Sequence, residues 1–314
     1  MALIFRSRAM DTDILTCGLN APNAKVVFDW LTSVEAQFSR FAPESELSVV
    51  NRHAGETVPI SLPFADLFFE AARYFCETGG VFQPFLGDVM NRLGYDRTMA
   101  LVRERKNFFS NPVEEKPGEA ESVQFNLEEQ CIQMPKGTLI DFGGIAKGWS
   151  VERIAQQIIE RTASGLISAG GDLMSWGYTD SDPVTVGIEH PFSQRTTIGK
   201  LFFSGKTGAA TSSANKRRWK NGDTLMHHII DPRTGHSSES DCIQATVIGR
   251  SLLLCDVYAK CLLIQGSTDG PEWIRSRHPE LAWIMICKNG ELISSENLSD
   301  YCRRIDLPQR IAVH

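Results

Sequence analysis

Four short stretches carry residues able to do chemistry on a phosphate. The densest is Asp141-Phe-Gly-Gly-Ile-Ala-Lys-Gly148. Gly143, Gly144 and Gly148 let backbone N–H groups approach an anion with no Cβ in the way. A helix start favours negative charge, and Lys147 adds a cation, so the combination suits a pyrophosphate. The spacings of Gly, Lys and Ser/Thr match neither a P-loop nor a dinucleotide-binding fingerprint, and a glycine turn that only packs tightly remains an alternative reading of this loop. Gly170-Gly171-Asp172 offers a second tight turn with a carboxylate, or a simple turn. Thr211-Ser212-Ser213 supplies hydroxyls, and Lys216-Arg-Arg218 with Lys220 form a charge run that reads as a solvated loop or as a receiver of phosphate.

His227-His228-Ile-Ile-Asp231-Pro232-Arg-Thr-Gly235 has a different character. Pro232 and Gly235 stiffen a turn beyond a short apolar strand, which holds His228 and Asp231 at a strand end. A histidine there titrates near neutrality and is suited to take a proton from a hydroxyl nucleophile. A structural histidine beside a turn-capping aspartate is the competing account. In Ser251-Leu-Leu-Leu-Cys-Asp256-Val-Tyr-Ala-Lys260, Asp256 and Lys260 are four apart and share a helical face inside an otherwise apolar segment. An exposed pair of this kind means little, but buried charge is retained when it is paired or meets a ligand.

The elements that position these residues follow from periodicity. Val26, Val27, Trp30, Leu31, Val34 and Phe38 predict a helix over 23–39, stopped by a turn at Ala42-Pro43-Glu44. Leu67, Phe68, Ala71, Tyr74 and Phe75 predict a second, ending at Gly79-Gly80. Thr138-Leu139-Ile140 reads as a strand end, 150–161 as a helix and 165–169 as a strand. Further strands are expected at 184–188, 245–248 and 282–286, with a helix over 251–264. An acidic, proline-containing stretch near 111–129 reads as an exposed connection between two possible lobes, within one domain spanning 1–314.

Bulk composition restricts the partners. With 314 residues, 42% of them hydrophobic, the chain is able to bury a full core. A net charge of −6 argues against nonspecific attraction to nucleic acid or anionic membranes. Eight scattered cysteines lack C-x-x-C or zinc-like spacing, and no run of about 18 apolar residues suggests a membrane span. The first residues lack the pattern of a signal peptide. The expectation is a cytoplasmic protein with reduced thiols and no membrane anchor.

Taken in order, these segments resemble the ApbE family, the FAD:protein FMN transferases. Met10-Asp-Thr12 stands where that family has Met-Gly-Thr, and Phe38-Ser-Arg-Phe-Ala-Pro-Glu-Ser45-Glu46-Leu-Ser48 with Asn51 is similar to its serine-glutamate loop. Thr78 to Phe82, Gly94-Tyr-Asp96, Asp141 to Gly148, Gly170 to Asp172, Ala210 to Ser212 and His228 to Gly235 follow. The resemblance implies an α+β fold of mixed sheets and packed helices, with two lobes around a flavin-binding cleft. It implies that FAD is the substrate and that its FMN half passes to a Ser or Thr hydroxyl of an acceptor protein, with AMP released. Met10, Thr12, Ser45, Glu46, Gly143, Gly144, Lys147, Glu152, Gly171, Asp172, Thr211 and Ser212 are then the expected cofactor-binding residues; Glu152 would reach the ribose or adenine end. His228 would be the base, with Asp231 and Lys260 beside it in the catalytic set.

The resemblance also implies Mg²⁺, held by the Ala146 carbonyl, the Asp256 carboxylate and a threonine hydroxyl one helical turn later. Lys260 occupies that threonine position. A protonated lysine has no lone pair to offer a cation. Either it replaces the metal as a tethered charge on the pyrophosphate, or it points aside and a looser metal site survives. Gln83 and Phe85 stand where the family has Asp and Thr, and Asp11 replaces a glycine. These departures keep two alternatives open: a noncatalytic FAD-binding protein and an FAD pyrophosphatase.

Overall fold

The computed structural model describes residues 3–105, 108, 123–193 and 196–312. It divides into two compact units, Met1–Thr32 with Lys147–Asn215 and Glu239–His314, and Ser33–Ala146 with Lys216–Ser238. Of the connection expected near 111–129, residues 111–122 lie outside the described residues, and Gln124–Asn126 is a short strand.

The first unit is built on an eight-stranded sheet in the order Ile4–Ala9, Thr12–Cys17, Gly165–Ala169, Asp172–Tyr178, Gly205–Ser213, Cys242–Gly249, Ala282–Cys287, Leu292–Ser294. Every neighbouring pair is antiparallel. The expected strands at 165–169, 245–248 and 282–286 are therefore neighbours or near neighbours in one sheet. The expected strand at 184–188 is Val184–Glu189, an edge of a separate three-stranded sheet with Thr197–Phe203 and Cys302–Asp306. Leu166, Leu173, Leu201, Phe203, Ile248 and Ile284 form one buried cluster, each side chain contributing about 1.5–3 kcal/mol by leaving water.

Two helices of this unit matter for the site. Ala146–Ile159 buries Val151, Ile154, Ala155 and Ile158, the stripe read from the sequence, but starts four residues earlier than expected. Leu252–Arg277 packs on the Gly205–Ser213 and Cys242–Gly249 strands. Ser251 caps it by accepting from the Leu254 N–H at 3.2 Å, a contact contributing about 1 kcal/mol. This helix is broken at Gly266 (φ 77°, ψ 179°), close to the expected end at 264.

In the second unit, the Leu62–Glu77 helix ends ahead of Gly79 and Gly80, both at positive φ (64° and 81°), as the sequence suggested. Phe38, Phe64 and Phe142 meet edge to face or tilted, with centroids 5.4–6.1 Å apart. Phe85 is buried between Phe68 and Phe75 and fills core volume, which accounts for an aromatic at that position. Two hairpins close the unit, Arg218–Asn221 with Thr224–His227 and Ile230–Asp231 with His236–Ser237. The charge run at 216–220 is thus partly a strand: Lys216, Arg218 and Lys220 are exposed while Trp219 is buried and donates to the Leu93 carbonyl at 2.7 Å.

Thr138-Leu139-Ile140 is not a strand. The Asn51 side chain takes both hydrogen bonds of the Ile140 backbone, accepting from its N–H at 2.8 Å and donating to its carbonyl at 2.9 Å. Leu139 accepts from the Gly87 N–H, so a side-chain amide and a loop satisfy the groups that a sheet ladder would otherwise have paired.

Candidate functional site

In the first unit, two buried carboxylates organise the chemistry. Asp172 opens the strand after the Gly170-Gly171 turn, where both glycines have positive φ (64° and 100°). Its Oδ1 accepts from the Thr211 N–H at 3.0 Å, and its Oδ2 accepts from the Lys147 ammonium. The Asp172 side chain is 2% exposed and that of Lys147 19%, so the carboxylate is sealed while the cation reaches the surface. The Thr211 hydroxyl lies 2.9 Å from that of Thr246, and Ser212 is buried.

Asp256 is the second. Its Oδ2 accepts from the Gly148 N–H at 2.9 Å, while its Oδ1 accepts from Lys260, which also donates to the Asp256 carbonyl at 3.0 Å. Burial would push this carboxyl up, but the Lys260 and Lys147 charges and the two hydrogen bonds hold it below the usual carboxylate range. Gly148 is required here: a Cβ would stand 2.6 Å from the Asp256 Cβ and 3.1 Å from the Leu252 carbonyl oxygen. Lys260 therefore points at Asp256, not aside. Lys147 and Gly148 are consecutive, so the start of one helix ties both carboxylates together.

These contacts test the donor set expected for Mg²⁺. A magnesium ion needs oxygen ligands at about 2.0–2.1 Å in near-octahedral array. Both Asp256 carboxylate oxygens already face hydrogen-bond donors, one of them a cation, and the hydroxyl that would complete the set is an ammonium. Among the described residues no group of three or more His, Cys, Asp or Glu is placed to hold a metal. The residues present do not fit a divalent cation.

Other expected binding residues of this unit have visible structural tasks. Glu152 accepts from the Ser251 hydroxyl at 2.8 Å and the Leu253 N–H at 2.9 Å, fastening the start of the Leu252–Arg277 helix. Met10 and Asp11 form the two-residue turn between the first two strands with φ of 55° and 52°. That left-handed pair is the geometry a tight hairpin demands, and it explains why a glycine would serve equally at Asp11. The Met10 sulfur receives the Ser150 hydroxyl at 3.9 Å, and Thr12 packs on Gly170, where a Cβ would come within 2.4 Å of its Oγ1.

In the second unit, Gly143 donates its N–H to Asp141 Oδ1 at 2.6 Å, and Asp141 is paired with Arg40 at 3.1 Å. The Gly143-Gly144-Ile145 turn leads directly to Ala146, whose N–H is bound by Phe142 at 2.8 Å. Ser45 caps the Glu46–Arg52 helix and donates to the Ser39 carbonyl at 2.7 Å. Glu46 accepts from the Ser61 N–H at 2.6 Å and from Gln37 at 2.7 Å. Sequence reasoning missed Arg40, Gln37 and Ser61, because no local spacing links them to the residues they hold.

The histidine turn separates its two histidines. His227 is buried; its Nδ1 accepts from the Ile229 N–H at 3.3 Å, which assigns the proton to Nε2, 3.0 Å from the Ser238 carbonyl. His228 is half-buried on a bend. Asp231 accepts from the N–H and the guanidinium of Arg233, both at 2.9 Å on Oδ1, and its carbonyl receives the Thr234 and Gly235 N–H groups. Asp231 is thus a turn-building residue, and Gly235 has the positive φ (69°) that the turn needs.

The family model described as the ApbE family matches residues 9–285. The chain belongs to the ApbE family. Among curated relatives, an FAD:protein FMN transferase of Klebsiella pneumoniae is 30% identical over 169 residues, covering 52% of this chain and 50% of the relative. The chain thus spans about half the length of that relative. An FAD:protein FMN transferase of Vibrio cholerae is 24% identical over 248 residues, covering 76% of this chain and 72% of the relative. Among solved ApbE-family structures, the ApbE protein of Thermotoga maritima superposes with a TM-score of 0.84 at 21% identity, covering 97% of this chain and 100% of that one. The flavin transferase ApbE from Vibrio cholerae gives 0.77 at 21% identity, over 96% and 100%. These likenesses establish the α+β ApbE fold.

Proposed function

We propose that this chain is an FAD:protein FMN transferase, moving FMN from FAD to a Ser or Thr hydroxyl of an acceptor protein. Membership of the ApbE family across residues 9–285 carries the reading. In the balanced reaction the acceptor hydroxyl oxygen forms a bond to the FMN phosphorus. The phosphorus–oxygen bond to the AMP half breaks, AMP leaves with that electron pair, and the hydroxyl proton passes to a base.

Alignment and charge neutralisation are the main tasks in such a transfer. Lys147, whose ammonium reaches the surface over a sealed carboxylate, would hold the pyrophosphate. The backbone of Gly143, Gly144 and Gly171, with Met10, Thr12, Thr211 and Ser212, would line the flavin site. Ser45, Glu46 and Glu152 would act mainly by holding the elements to which they are bonded. His228 would be the base, on a turn kept rigid by Asp231. Mg²⁺ at Ala146 and Asp256 is implied by the resemblance, but the chemistry is carried here without it, because the donor set does not suit it. Eight cysteines without disulfides support a cytoplasmic location, and among the described residues no helix is long and apolar enough to cross a membrane.

The test is incubation of the purified chain with FAD and a candidate acceptor, following AMP release and flavin fluorescence on denatured acceptor. Covalent flavin with stoichiometric AMP is expected; AMP and free FMN without acceptor would instead mark a pyrophosphatase. His228→Ala should retain FAD binding and lose transfer by about 10²–10⁴-fold, the usual contribution of a general base. A fully active variant would remove the histidine from that role.

A further inference from the structure

The Asp256–Lys260 pair deepens the proposed function and rests on it, because it bears on how the pyrophosphate of FAD is neutralised. Lysine at this position places a positive charge one helical turn beyond a buried carboxylate. The Asp256 side chain is 2% exposed and the Lys260 side chain 15%. An ammonium has three donors; Lys260 directs two of them to Asp256, at the carboxylate and the main-chain carbonyl. Among the described residues no other acceptor is bonded to it, and the side chain keeps 15% exposure, enough to meet an anion at the surface.

A second ammonium is built in the same way. Lys147 sits on Asp172, which is itself anchored by the Thr211 N–H. The Gly148 N–H, one residue along, holds the other oxygen of Asp256. Two sealed carboxylates therefore fix two ammonium heads, both tied to the start of the Ala146–Ile159 helix, whose end carries partial positive charge. Such a clamp suits a diphosphate ester. A divalent cation seated on Asp256 would have to displace one ammonium and would then be repelled by it.

We propose that Lys260 supplies, as a tethered ammonium, the positive charge that neutralises the pyrophosphate, so that this chain takes FAD without a divalent cation. The charge is carried by the helix itself, so its position is set by folding and not by metal supply.

FAD titration of the intact chain, in EDTA and in millimolar Mg²⁺, tests this, with Mn²⁺ uptake followed in parallel by electron paramagnetic resonance. The wild-type dissociation constant should be the same in both buffers, and FAD should not induce Mn²⁺ binding. Lys260→Met should weaken FAD binding by roughly tenfold or more in both buffers, the loss of one hydrogen bond to a charged group. Lys260→Thr should bind weakly in EDTA and regain affinity with Mg²⁺, with FAD-dependent Mn²⁺ uptake. Wild-type binding that collapses in EDTA, or wild-type Mn²⁺ uptake that requires FAD, overturns the proposal while leaving the transferase reading intact. Unchanged affinity in Lys260→Met also overturns it. Failure of the wild type to bind FAD in any buffer overturns both readings. The wild-type arms decide the matter even if a variant fails to fold.

Discussion

Asp172 and Asp256 in the first unit and Asp231 in the second are all buried carboxylates, yet they are satisfied in opposite ways. Asp172 is held by Lys147, 25 residues away, and Asp256 by the Gly148 N–H, 108 residues away, with Lys260 of its own helix on the other oxygen. Asp231 is held almost entirely by its own turn, through Arg233, Thr234 and Gly235. A carboxylate with distant partners works as a fastener of the fold, and losing it strands donors on elements that have no other reason to meet. A carboxylate with local partners shapes one loop and leaves the rest standing.

The largest effect should therefore come from Asp172→Ala or Gly148→Ala. The first leaves the Lys147 ammonium and the Thr211 N–H without their acceptor, and the second drives a Cβ to 2.6 Å from the Asp256 Cβ. A loss of about 3 kcal/mol is expected for each in urea unfolding. A loss below about 1 kcal/mol would show that these are ordinary surface pairs and erase the contrast.

Alkaline pH should give an intermediate effect that also falls on the first unit. Burial pushes the Cys302 thiol up to about 12 and the Cys242 thiol higher still. Unfolded thiols ionise near 8.5, so stability is full below that value and is lost as pH rises through it, with a slope approaching ~1.4 kcal/mol per pH unit for each thiol. Urea midpoints measured from neutral pH upward should fall accordingly, while a thiol reagent at neutral pH should label the exposed Cys76 well ahead of Cys302. A flat profile would mean that these thiols are not sealed.

The smallest effect belongs to Arg233→Ala. Its side chain is 58% exposed and the Arg233 N–H still reaches Asp231, so a cost below about 1 kcal/mol is expected in the same unfolding measurement. A cost well above that would make the histidine turn as dependent on one partner as the first unit's carboxylates.

This division also sets what was legible in the sequence. Turns and single helices are local, so the His228 to Gly235 turn, the Gly170-Gly171 turn and the Asp256–Lys260 helical face were readable from spacing alone. The ApbE resemblance added the order of the motifs and the α+β fold. Partners that meet only after folding left no trace: nothing near Lys147 names Asp172, and nothing near Ile140 names Asn51, the residue that turns an expected strand end into a loop. The resemblance implies Glu46 and Glu152 as ligand-binding carboxylates, whereas the contacts to Ser61 and to Ser251 give each a load within the fold.

The break at Gly266 divides the helix that carries Asp256 and Lys260 into two mechanical members. Beyond it, Ser267 is tied to Asp241 through its N–H at 2.9 Å and its hydroxyl, so the later turns start from a fresh anchorage. The earlier turns are pinned at their own start by Ser251 and Glu152. Beyond the joint the chain folds back, and Trp273 of the later turns packs on Tyr258 of the earlier ones with ring centroids 5.3 Å apart. The half that carries the tethered charge is thereby braced from the side by the far half of its own helix, through ring contacts of Trp273 and His278 with Tyr258.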